Sequence, residues 1–319
     1  MKRILLLISL AFFLLGKPNA WAAHDNHPDT VKVGCYIISL HDFDFIEEQY
    51  TTRFWLWMLH DHPIDKPSDM IELPDAKEYK IDNMMMDSLN GKGWLQLKIK
   101  SVMKQAWNLQ NFPFDEQTLK IKIENPEFMV QDLIFVPDTL GKSYDPALEV
   151  DGWKIKSFHI DTGRAHYNTA FGDNTQLKPE SDYAQFVVNI TIKRDAWGLF
   201  FKLFLGMYVA FAISYVSFFI DPSHAEPRFG LPVGGLFAAV GNKYVIDSYL
   251  PETSTLTIVD TLHGLTFVMI FVIIAFSALS LRQDDDGQQK LSNATDRLVA
   301  WIVGGIYLAV NVVSVLMAL

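Results

Sequence analysis

Two hydrophobic rhythms divide this chain. Between residues 31 and 196 apolar positions come in short runs that alternate with polar ones, and beyond Trp197 they fuse into four long blocks. The runs at 31–39, 50–59, 93–103, 118–124, 133–136, 153–159 and 186–193 are rich in β-branched and aromatic residues, which predicts strands. Asn90-Gly91-Lys92-Gly93, Asn125-Pro126, Leu140-Gly141 and Gly172-Asp173-Asn174 supply turns between them. Many short strands with little helical periodicity predict a β-sandwich. In the second run, alternation sets Trp55 and Trp57 on one face and Phe54 and Leu56 on the other, leaving open which pair points inward.

The four later blocks cover 199–220, 229–250, 262–281 and 298–319. Each approaches the ~20 residues with which a helix crosses a bilayer, so a four-helix transmembrane bundle is expected after the sandwich. The second block differs from the others: it holds Gly230, Pro232, Gly234, Gly235, Gly241, Asn242 and Lys243. Polar and flexible positions at membrane depth face protein or water rather than lipid. Glycines also let helices pack closely, so both roles stay open here.

At the N-terminus, Lys2 and Arg3 precede ILLLISLAFFLL and then Asn19-Ala20-Trp21-Ala22, the pattern of a secretory signal peptide over 1–22. A first membrane anchor is the alternative. With a cleaved signal, residues 23–196 lie outside a cell (inner) membrane, and four crossings through 197–319 return the C-terminus to the same side. The positive-inside bias of the two inner loops is weak, because Asp284-Asp285-Asp286 offset Arg282, Lys290 and Arg297.

Charge narrows the function. Asp and Glu total 37 against 27 Lys and Arg, a net charge of −10, which argues against nucleic acid as a partner. Cys35 is the only cysteine, so no intrachain disulfide can form. No nucleophile elbow, phosphate-binding glycine loop or HExxH pattern is present, and no enzyme activity is expected. His60-Asp61-His62 and the group His24, Asp25 and His27 carry metal-ligand types, but short loop spacings do not define a shared geometry. Both are expected to be solvated loops, with no metal and no cofactor.

Phe112-Pro113-Phe114-Asp115 breaks the strand pattern. Proline cannot serve a central strand, and two phenylalanines are too apolar for a solvated turn. Such a turn needs an apolar surface to rest on. FPFDEQ at 112–117, KYVIDSYLPETSTLTIVD at 243–260 and Arg194 just before the first membrane block occur in order. Together with a sandwich, four helices and a Gly-rich second helix, they resemble the pentameric ligand-gated ion channels, the Cys-loop receptor superfamily, over roughly 31–319. The positions matching the family's bracketing cysteines are Gln105 and Leu119, which places the chain with disulfide-free, bacterial-type members.

The resemblance implies a homopentamer in the lipid bilayer with a pore lined by the second helix. It implies a coupling interface of Phe112, Pro113, Phe114, Asp115, Arg194, Leu250 and Pro251, with Asp115 paired to Arg194. If 229–250 is helical, Gly230, Gly234, Phe237, Gly241, Tyr244 and Ser248 share a face. A ring of Phe237 would then be an apolar gate. Glu226 would stand at the inner mouth and attract cations, helped at the outer end by Asp247 and Glu252. Cation-selective members of the family carry an acidic residue here and many anion-selective ones a Pro-Ala-Arg type sequence; Ala225-Glu226-Pro227-Arg228 mixes the two, and permeating monovalent cations are favoured. Glycines replace the hydroxyls usual on the inner half of this face, and the proline common in the first membrane helix is missing.

The implied ligand site lies between subunits, behind the hairpin at about 166–185. Tyr167, Phe171, Tyr183 and Phe128 would form it, with Trp55 or Trp57 from the neighbour and Glu127 or Asp132 as the anionic anchor. Several aromatic faces make a cage for an ammonium group, so a small-molecule agonist, an amine, is expected. Trp153, Phe135 and one of Trp55 and Trp57 are expected in the sandwich core. The reading is therefore a ligand-gated, cation-conducting homopentamer. The alternative is a non-conducting membrane sensor that keeps this architecture and signals through a partner.

Overall fold

The computed structural model describes residues 27–61, 70–140, 143–173, 178–252 and 254–319. The expected signal peptide, His24, Asp25 and His62 lie outside the described residues.

Among the described residues eight strands precede the helices: β1 Asp29–Asp44, β2 Gln49–His60, β3 Ala76–Leu89, β4 Lys92–Lys104, β5 Glu116–Met129, β6 Leu133–Pro137, β7 Trp153–Tyr167 and β8 Ser181–Arg194. They form two sheets, ordered β3-β4-β2-β1-β6 and β5-β8-β7. Every pairing is antiparallel except β1 with β6. The period of two sends alternate side chains to the shared interior. Val31, Val33, Cys35 and Ile37 of β1 and Phe54, Leu56 and Met58 of β2 meet Leu119, Ile121 and Ile123 of β5 and Phe186, Val188, Ile190 and Ile192 of β8. Burial pushes the Cys35 thiol far above its ordinary range, so this cysteine is core filling.

The register decides the ambiguity in β2. Phe54, Leu56 and Met58 point inward, while Trp55 and Trp57 are half-buried on the outer face. Trp153 and Phe135 do join the core, but neither Trp55 nor Trp57 does, against expectation for one of them. The reason is polar: a buried indole N–H needs an acceptor. Outside, Trp57 Nε1 donates to Asp138 Oδ2 at 2.9 Å, and Lys98 Nζ lies 5.3 Å from the Trp55 ring.

β3 escapes prediction because it has almost no buried face: nearly every side chain is exposed. It is an edge strand held by its backbone ladder to β4. Pairing, not hydrophobic alternation, defines such a strand.

The helices are α1 Ala196–Tyr215, prolonged by a 3-10 turn at Val216–Phe219, then α2 Ala225–Asp247, α3 Ile258–Asp285 and α4 Gln289–Ala318. All four are long and apolar enough to cross a membrane. α3 starts on a capping box in which Thr257 Oγ1 accepts from the Asp260 amide and the Asp260 carboxylate accepts from the Thr257 amide. α4 begins well before residue 298 because its polar first turns are packed, not solvated: Ser292 and Asp296 are buried and bonded to Ser280 of α3.

Gly34 lies directly beneath the Trp57 ring, where an added Cβ would collide with the indole. Gly34→Ala should displace Trp57, break its bond to Asp138 and destabilise the sandwich by about 1–3 kcal/mol. Thermal unfolding followed by tryptophan fluorescence measures this; an unchanged midpoint would contradict the close approach.

Candidate functional site

Three places carry the residues singled out in the sequence. The first is the junction between sandwich and helices. Residues 105–115 leave β4, reverse, and enter β5. Phe112 N donates to Leu109 O at 3.0 Å and Phe114 N to Asn111 O at 2.7 Å, closing a tight turn around a cis Phe112–Pro113 peptide. Gln117 braces it from behind: Nε2 donates to Asn108 O and to Asp115 Oδ2, each at 2.8 Å.

Phe112 and Phe114 are buried in one apolar cluster with Phe200 and Phe204 of α1, Ile246 of α2, Ile258 and Leu262 of α3 and Ala318 of α4. The Phe114 ring stands 5.2 Å from Trp197 and 5.4 Å from Phe200. Ile258 N donates to Gln110 O at 3.0 Å, so the turn satisfies an amide at the start of α3 that its own helix cannot. Leu250 packs against the same cluster and Pro251 is half-buried.

Asp115 and Arg194 pair in two places, Nε to Oδ1 at 2.7 Å and Nη2 to Oδ2 at 3.1 Å. Their side chains are 1% and 9% exposed. The forked geometry is the strong form of this ion pair. The guanidinium also lies 4.0 Å from the Trp153 ring and 5.0 Å from the rings of Phe45 and Phe112. Phe45 and Trp153 were not foreseen here. The stretch Phe43-Asp44-Phe45 carried the same hint as Phe112-Pro113-Phe114, an apolar turn with nothing local to cover it.

The second place is the β7–β8 hairpin. Tyr167, Phe171 and Tyr183 meet edge to face, with ring centres 5.5 to 6.3 Å apart. The carboxylate beside them is Glu124, which the sequence reading missed. It is buried and accepts from Tyr167 Oη at 2.7 Å and from Gln185 Nε2 at 2.7 Å. Burial, then the bond to Glu124, holds the Tyr167 hydroxyl well above its ordinary range. Glu127 and Asp132 are exposed. Phe128 is exposed next to Met129, which pairs with Tyr183 across the sheet. Trp55 and Trp57 belong to the other sheet, and within one chain they do not reach these rings. Alternation sets Glu124 on the face opposite the core residues Leu119, Ile121 and Ile123, so the sequence pattern carries no signal that it is buried.

The third place is one side of α2. Glu226, Gly230, Gly234, Phe237, Gly241, Tyr244 and Ser248 form an exposed stripe, with Phe237 72% exposed. The opposite side packs inward through Arg228, Gly235, Ala239 and Ile246. The glycines therefore divide by role. A Cβ on Gly235 would strike Ser214 and the Ala210 carbonyl of α1, whereas Cβ atoms on Gly230, Gly234 and Gly241 would meet nothing. Asn242 and Lys243 are structural: Asn242 bonds Leu203 O and His263, and Lys243 binds Asp247 and Asp260 at 2.8 Å. Asp247 is thus compensated rather than free. Among the described residues no three His, Cys, Asp or Glu side chains gather as a metal site.

The sandwich is thus docked through a buried ion pair and an aromatic turn on four membrane-length helices. No family model matches the sequence. The chain is similar to a glutamate-gated chloride channel of Drosophila melanogaster, 22% identical over 222 residues, which cover 68% of this chain and 46% of that protein. It is similar also to a gamma-aminobutyric acid receptor subunit beta of Caenorhabditis elegans, 21% identical over 259 residues, 74% of this chain and 45% of that one. The chain spans about half the length of the curated relatives it matches. Both relatives are named as channels or receptors rather than enzymes.

Arg194→Gln leaves Asp115 buried without its partner and should cost about 3–5 kcal/mol of stability. Thermal unfolding measures the loss, and adding Asp115→Asn should restore part of it; a loss no larger than for an exposed pair would contradict the buried geometry. His166 offers a pH test. Its hydrogen bonds to Asp182 at 2.8 Å and to Asn168 at 3.0 Å favour the protonated ring and raise its pKa. That contribution is complete below the ordinary histidine range and is lost as pH rises through the raised value. Asp182→Asn should bring the His166 titration, followed by NMR, down towards the ordinary range; an unmoved midpoint would rule Asp182 out as the cause.

Proposed function

We propose that this chain is one subunit of a homopentameric ligand-gated channel in a cell membrane. The sandwich and the C-terminus lie on the outer side, and monovalent cations pass along the exposed stripe of α2. The junction carries this reading. β8 runs as one strand of 14 residues, roughly 45 Å, from Ser181 beside the aromatic hairpin to Arg194 at the head of α1. A ligand that moves the hairpin pulls on a strand whose far end is clamped to Asp115 and continues into a membrane helix. The turn at Phe112 and Phe114 then pushes on the ends of α1, α2 and α3.

Tyr167, Phe171 and Tyr183 around an acidic group suit an amine, with Trp55 or Trp57 and Phe128 completing the cage between subunits. Glu124 replaces Glu127 and Asp132 as the favoured source of negative charge. Five copies of Phe237 form an apolar constriction that closes by excluding water. Glu226, exposed at the inner end, gives the mouth a negative ring that draws in cations. The Drosophila relative is named a chloride channel, and the reversal potential of this protein reads the sign of its permeant ion directly.

One observation favours a second reading. The stripe offers bare glycines where a pore would present hydroxyls, which suits a sensor that keeps the architecture without conducting. Recording from the purified protein in planar bilayers under potassium chloride gradients, with primary amines added outside, separates the two. A channel gives amine-evoked current; Phe237→Ala raises the resting leak, and Glu226→Gln moves the reversal potential towards chloride. Silence under amines, protons and divalent ions alike would leave the sensor.

A further inference from the structure

The head of α2 carries two opposite charges two residues apart, and the fold treats them differently. Glu226 is exposed, whereas Arg228 is 0% exposed. Arg228 Nη2 donates to Asp296 Oδ1 at 2.5 Å, and Nη1 donates to Ile220 O at 2.7 Å. Among the described residues its Nε–H finds no hydrogen-bond partner, and the guanidinium is held by these two acceptors. Asp296 in turn is fixed: its Oδ2 accepts from Ser280 Oγ at 2.9 Å, and Ser280 Oγ lies 2.6 Å from Ser292 Oγ. A carboxylate from α4 thereby cancels the positive charge of the pore-side helix from behind.

The consequence is electrostatic. A contact pair presents only a dipole, whose field decays faster than that of a single charge. The full charge of Glu226 then stands alone on the exposed stripe. Without the Asp296 charge, a buried guanidinium held only by a carbonyl is badly solvated. At the first turn of α2 a long arginine side chain can swing its head into water. There it would stand beside Glu226 and reverse or cancel the field at the mouth.

We infer that Asp296 is a selectivity-determining positioning residue: by sequestering Arg228 it sets the sign of the ion admitted. This deepens the cation-channel reading and rests on it. It also means that ion sign is written partly in α4, a helix that does not carry the exposed stripe.

The test uses the full chain in planar bilayers with asymmetric potassium chloride. Asp296→Asn should move the reversal potential towards the chloride equilibrium potential. Arg228→Gln alone removes the positive charge and leaves Asp296 negative, so it should not move the reversal potential towards chloride, and the double variant, neutral at both positions, should keep the wild-type value. A shift towards chloride in Arg228→Gln or in the double variant, or no shift in conducting Asp296→Asn channels, overturns the inference. A merely structural role for Asp296 would change expression or current size without this pattern. Wild-type anion selectivity would sink the cation reading, while the comparison between the two single variants would still decide the role of Asp296.

A second measurement does not need current. In membranes, an arginine-specific dicarbonyl reagent followed by mass spectrometry should spare Arg228 in the wild type and modify it in Asp296→Asn. Modification of wild-type Arg228 overturns the masking. Silence from every variant overturns the selectivity role together with the channel reading, and the reagent then still reports whether Arg228 is masked.

Discussion

The carboxylate of Asp115 and the guanidinium of Arg194 meet where the chain changes solvent. On one side β8 ends in a water-soluble sandwich; on the other α1 begins an apolar bundle. A charged pair at this boundary is costly to desolvate, and it is tolerated because every partner is supplied. The fork is doubly bonded, Gln117 donates to the carboxylate, and Phe45, Phe112 and Trp153 surround the guanidinium. Removing either ion leaves the other buried with its charge unmet. That interdependence lets the junction act as a joint rather than a loose contact.

The aromatic turn beside the pair supplies the other half of the joint. Phe112 and Phe114 belong to the cluster that α1, α2, α3 and α4 share at their outer ends, not to the sandwich core. The exterior module therefore contributes side chains to the interior of the membrane module. Rigid packing of this kind transmits displacement, because close-packed interiors yield little.

Much of this could be read from the sequence because the deciding features were local. Proline between two phenylalanines has few physical explanations, and four apolar blocks have fewer still. The failures share a cause as well. β3 has no buried face, so its strand character lies in a partner ladder that no single segment displays. Trp55 and Trp57 look like core by size but share the outer face of β2, where the Trp57 N–H finds Asp138 and Lys98 lies against the Trp55 ring. Glu124 was passed over for Glu127 because burial reverses the usual expectation for an acid, and only the facing Tyr167 and Gln185 make it tenable. Arg228 could not be judged without Asp296, 68 residues away.

The central claim is that the Phe112–Asp115 turn is lodged in the helix bundle. A photoreactive benzophenone side chain in place of Phe114, illuminated in the intact protein in lipid, reads its neighbours directly. The account predicts cross-links to α1, at or near Trp197 and Phe200. Adducts confined to the sandwich, or none at all, would mean that the turn faces solvent and that the two modules are not joined there.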